Sequence, residues 1–101
     1  MDRRLELHEV LCEVLGSRNV YFNPPESVKM NYPAMVYSRK TIDNLYADSS
    51  VYGQLRAYEV TVIDWDPDSE IVGKVSRLPT CRFDRHFVSD NLNHDTFTLY
   101  F

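Results

Sequence analysis

At 101 residues, with 44% hydrophobic and 26% charged residues, the chain has the size and balance of one globular domain with a modest core, which excludes disorder throughout. Its formal net charge of −4 argues against a protein whose main task is gripping phosphates, which needs clustered Lys and Arg. No stretch approaches the roughly 18 apolar residues of a membrane span, and "MDRRLELHEV" carries charges where an export signal needs an apolar run. Neither a membrane nor an export role is expected. Cys12 and Cys81 should then stay reduced and act as small buried hydrophobes.

Residues 2–15 read as a helix, with Leu7, Leu11 and Val14 at i, i+4, i+7, Val10 and Leu15 widening the stripe, and Gly16 as a stop. His8 on that helix is expected to be solvated. "NVYFNPPES" gives a short extended piece halted by Pro24 and Pro25. "YPAMVYSRK" is the next strand, with Met35 and Tyr37 alternating against Ala34 and Val36. Residues 41–55 show no clean period, yet carry Ile42, Leu45, Tyr46, Val51 and Tyr52 among Asp, Asn and Ser. They read either as a long hairpin with a disordered tip or as an arm whose five apolar residues form an interface with another chain.

"LRAYEVTVIDW" is the strongest strand signal, with Tyr58, Val60 and Val62 on one face and Glu59, Thr61, Ile63 and Trp65 on the other. In "DWDPDSEIVGKVSRLP", Asp66 suits a helix N-cap and Pro67 the first helical position. Ile71, Val75 and Leu78 form the buried stripe of a helix of about three turns. A closing hairpin follows. By simple alternation Phe83, Phe87, Phe97 and Leu99 face the core, Asp84 and His86 face away, and "SDNLN" makes the turn. The order describes a single α+β domain over 1–101, a mainly antiparallel sheet of four to five strands with two helices on one face.

The polar residues of that hairpin, Asp84, Arg85, His86, Asp90, His94 and Asp95, have the composition of a metal or acid–base centre. His86, Asp90 and His94 would converge only on a helix, which the aromatic alternation opposes. Surface ion pairs and turn bonds account for them better. The run Asp64, Asp66, Asp68 lacks the later Gly and Glu of a calcium loop. No Gly-rich phosphate loop or nucleophile turn is present, so no catalytic residue, metal ligand or cofactor is expected.

"YPAMVY", "VTVIDWDPDSEI" and "RLPTCRFDRHFVSDNLNHDTFTLYF", in that order, resemble a family of small structural proteins encoded among the head–tail genes of long-tailed bacteriophages and prophages. Members are described as tail-completion or tail-terminator proteins. The resemblance runs from about Tyr32 to Phe101 and implies a tail-terminator-like fold working as a homo-oligomer, a hexameric ring, at the head–tail junction of the virion. Such a ring caps the tail tube protein, ends tube growth, meets a head-completion or neck protein on its other side, and lets genomic DNA pass through its hole. It forms in the host cytoplasm during assembly. The surplus of Tyr, seven in all, suits subunit contacts, and the acidic balance suits a channel through which DNA must slide. Other readings stay open: a head-completion or head–tail adaptor ring, a monomeric adaptor module, and a small metal-dependent hydrolase using His86, His94 and Asp95.

Overall fold

The computed structural model describes residues 3–24, 29–47 and 50–101. Helix α1 (Arg4–Leu15) ends where Gly16 adopts the left-handed conformation, φ 82°, and its N–H bonds the Cys12 carbonyl at 2.9 Å. Glycine takes that conformation without the steric cost a Cβ would add. Leu7, Leu11 and Cys12 form the buried stripe. His8 is not solvated as its sequence position implies. It is half-buried, and its Nδ1 lies 2.8 Å from the hydroxyl of the buried Tyr37. A buried phenol needs such a partner, and His8 supplies it from the helix side. Arg4 adds a cation over the Phe22 ring at 4.4 Å.

Five strands follow: β1 (Val20–Phe22), β2 (Ala34–Ala47), β3 (Ser50–Asp64), β4 (Cys81–Ser89) and β5 (Leu92–Tyr100), with helix α2 (Glu70–Ser76) between β3 and β4. They make one sheet in the order β1-β2-β3-β5-β4, in which β1 runs parallel to β2 and every other pair is antiparallel. The fold is α+β, with a mixed sheet and two helices.

Cross-strand register explains the core. Tyr37 pairs with Val60, which pairs with Phe97, and Met35 with Val62. These side chains therefore share one face, where Leu7, Leu11 and Val75 of the helices join them in a single buried cluster. The opposite face carries Thr61, Thr96 and Thr98, of which the last two are nonetheless buried. Thr98 is held by Lys40 of β2 and Asp84 of β4. Its hydroxyl accepts from Lys40 Nζ at 3.0 Å and donates to the Asp84 carboxylate.

Two sequence expectations change here. The helix after β3 starts at Ser69, whose hydroxyl accepts from the Ile71 N–H at 3.3 Å, and it spans seven residues instead of three turns. Asp66 does not cap it. Asp64 and Asp66 accept from the N–H groups two residues on, at 3.2 and 2.9 Å, so the acidic run folds into successive Asx turns.

The closing hairpin also departs from simple alternation. Its turn is as expected, with Asp90 and Asn91 both at positive φ, 53° and 63°, the geometry of a two-residue hairpin turn. A register shift between Phe83 and Arg85, however, adds one residue to β4 opposite β5. Phe83 still pairs with the core residue Phe97, but Phe87 pairs with His94 on the opposite face. Phe87 is thus not a core residue. As an edge strand, β4 is mostly exposed, with Phe83 49% and Phe87 38% accessible against 0% for Phe97.

Candidate functional site

The hairpin's polar residues do not converge. His86 lies 3.2 Å from the Asn93 side-chain oxygen, while His94 Nδ1 meets the Leu92 carbonyl at 3.1 Å and its ring stacks on Phe87 at 4.7 Å. His86 and Asp95 are direct cross-strand partners, whereas His94 is displaced to the other face by the pleat. Asp84 turns to Thr98 and Arg82, and Asp90 sits in the turn. Among the described residues no group of three His, Cys, Asp or Glu side chains could hold a metal ion. The trio His86, His94 and Asp95 is therefore split between two faces.

Two of the carboxylates titrate in opposite directions. The Thr98 hydroxyl bond holds the Asp84 carboxyl below its ordinary range against a smaller cost of burial, helped by Lys40 and Arg82. Burial pushes Asp95 up, and the charges of His86 and His94 only partly offset it. A depressed folded-state pKa contributes stability that is present above the unfolded value and lost as pH falls through the folded one; a raised pKa does the reverse. Asp84→Asn should therefore destabilise more at pH 7 than at about pH 3, below the unfolded carboxylate value near 3.9. Asp95→Asn should gain on the parent protein over the same rise in pH. Thermal melts of both variants at the two pH values check this, and parallel behaviour of the pair would contradict it.

The feature without a partner is elsewhere. Beyond the pair Ile42–Arg56, strands β2 and β3 continue together to Ala47 and Ser50. No third strand accompanies them among the described residues, since β5 reaches β3 only to Ala57 and β1 reaches β2 only to Tyr37. Residues 41–47 and 50–55, aperiodic in sequence, thus form a two-stranded ribbon with a further register shift between Leu45 and Tyr46. It extends roughly 17 Å past the sheet at about 3.3 Å per residue, within a molecule measuring 51 × 25 × 23 Å. Of the expected interface residues, Ile42 is 43% exposed. The side chains of Leu45, Tyr46, Val51 and Tyr52 lie outside the described residues.

An apolar groove of about 790 Å³ opens at the foot of this ribbon. Val10 of α1, Leu78 and Pro79 after α2, and the terminal Phe101 line it, together with Arg3 and Arg56. In sequence Val10 widens the apolar stripe of α1 set by Leu7, Leu11 and Val14. It flanks the buried residues, one helical turn before Val14, and walls the groove, and no signal in the helix alone distinguishes a groove wall from a core residue. The Arg3 guanidinium lies 4.3 Å from the centre of the Phe101 ring.

Neither a protein-family model, nor a curated protein, nor a solved structure matches the chain.

Proposed function

We propose that this protein is a structural virion component that self-associates into a ring, caps the head-proximal end of a phage tail tube, and offers its other face to the neck. The observation that carries the reading is the unsupported ribbon. A two-stranded hairpin alone in water is marginally stable, and a third strand or a packed surface is needed to secure it. Residues 41–55 include Ile42, Leu45, Tyr46, Val51, Tyr52 and Leu55, apolar area that a neighbouring subunit would bury. The fold class agrees with the one that the tail-terminator resemblance implies, although fold alone does not set function. In this role the protein has no catalytic residues and no cofactor. Its partners are further copies of itself, the tail tube protein and a neck protein, with genomic DNA passing through the hole without sequence-specific contact.

The head-completion reading keeps the same ring and ribbon and differs only in which neighbour the ring meets. Self-association is the property both require. Light-scattering mass of the purified protein, alone and with the tail tube protein, tests it. A mass several times 11.9 kDa in either sample is expected. A monomer in both, at concentrations up to about 100 μM, would overturn the ring, because stable subunit interfaces hold well below that range.

A further inference from the structure

We propose that Trp65, with the carboxylates of Asp66 and Asp68, is a docking point for an arginine side chain presented by another protein. The inference rests neither on the ring nor on the phage setting.

The chain sets its own cations over its aromatic rings. Arg3 lies over Phe101, Arg4 over Phe22, Arg39 over Tyr58 and Arg85 over Phe87, at 4.3 to 6.0 Å from the ring centres. Trp65 is the chain's single Trp, and indole is the ring that attracts a cation most strongly. It stands just past the end of β3, 60% exposed, and no cation of the described residues lies over it. The best ring for this contact is the one left open.

Its surroundings select the charge of the partner. Asp66 and Asp68 follow it on either side of Pro67, both are exposed, and neither forms an ion pair with a described residue. Asp66 accepts from the Asp68 N–H at 2.9 Å, a bond that uses one oxygen and leaves the negative charge in place. A cation brought to this corner meets uncompensated carboxylates and a π face together. Arginine suits both, because its planar guanidinium stacks on aromatic rings and donates to carboxylates as a fork, whereas the ammonium of lysine acts as a point charge.

The corner is also held in place before anything binds. The Trp65 ring packs at 75° to Tyr32, with centroids 5.8 Å apart, and its carbonyl accepts from Asn93 Nδ2 at 3.1 Å. Asp64 accepts from the Asp66 N–H at 3.2 Å, so the backbone is tied on both sides of the indole. Docking therefore orders little that is not already ordered, and a fixed Trp is a residue type that often dominates protein–protein contacts.

With one Trp in the chain, a single indole N–H signal in the NMR spectrum reports this corner alone. The probe is the peptide acetyl-Ala-Arg-Ala-Arg-Ala-amide, compared with its Lys and Glu counterparts. The Arg peptide should shift the signal saturably at concentrations on the order of millimolar, the Lys peptide more weakly and the Glu peptide not at all. Asp66→Asn combined with Asp68→Asn keeps an acceptor oxygen for the turn and removes the charge, and it should weaken the Arg peptide about threefold or more. Glu13→Gln combined with Asp43→Asn removes two exposed charges elsewhere and should leave the affinity unchanged. Thermal melts check that both double variants fold. The absence of a saturable shift up to about 20 mM Arg peptide, an equal response to the Arg and Lys peptides, or equal weakening by the two double variants overturns the proposal. A signal that moves with protein concentration alone places a second copy on Trp65 and overturns it as well.

Discussion

Replacing Phe97 by alanine is expected to cost about 3–5 kcal/mol, the usual loss for truncating a buried Phe. For a domain near 100 residues that lowers the melting temperature by at least about 12 °C, at 4–8 °C per kcal/mol. Phe97 is inaccessible to solvent and lies in β5 between Val60 of β3 and Phe83 of β4. Its ring meets Phe83 edge-on, with centroids 5.4 Å apart, and it belongs to the cluster that joins the sheet to Leu7 and Leu11 of α1. Few neighbours can collapse into the space it would leave, because strands fix them on both sides. Phe87→Ala should cost within about 1 kcal/mol, since an accessible residue on an edge strand loses little when truncated. Denaturant midpoints at constant slope compare the two variants. Equal losses would place Phe87 in the core and contradict the bulge in β4.

That contrast also shows where the sequence stops being legible. Strand β3 announces itself through alternating Tyr58, Val60 and Val62, and β5 through Phe97 and Leu99, because one face of each joins the apolar core and that core imposes a period of two. Gly16 and the Asp90–Asn91 turn are readable for a local reason: each needs a left-handed backbone, and only a few residue types adopt it cheaply. The bulge at Asp84 leaves no comparable mark. It accompanies the bond from Asp84 to Thr98, 14 residues away, and it reverses the facing of every later β4 residue. Alternation counted from Phe83 therefore misplaces Phe87 and His86 together.

The start of α2 is misread for a subtler reason. Asp66 and Ser69 both have capping chemistry one turn apart, and Asp66 is occupied by the Asp68 N–H instead. The ribbon is the opposite case. Its lack of period reads as loop, yet among the described residues β2 and β3 pair from Ile42–Arg56 to Ala47–Ser50, with a register shift between Leu45 and Tyr46. No third strand pairs with it among the described residues, so the core alternation does not extend into it and its candidate interface residues emerge only as apolar excess without phase. The parallel pairing of β1 is equally silent, since three residues carry no directional signal.

Under the proposed tail-capping role, deleting the gene from a phage that carries it should produce the largest effect. Tube subunits add head to tail, so the growing end always presents the surface that the previous subunit buried, and growth is open-ended until something else occupies it. If this protein caps that surface, a phage lacking it should assemble tails of irregular and excessive length, unattached to filled heads. Supplying the parent protein should restore uniform length. Supplying a variant with residues 43–55 replaced by Asn-Gly, a two-residue hairpin turn, should not, because the proposed ring depends on the ribbon. Electron micrographs of the deletion lysate read the outcome directly. Broadly distributed, overlong tails are the predicted result, and tails of uniform normal length beside heads that have lost their DNA would contradict tail capping.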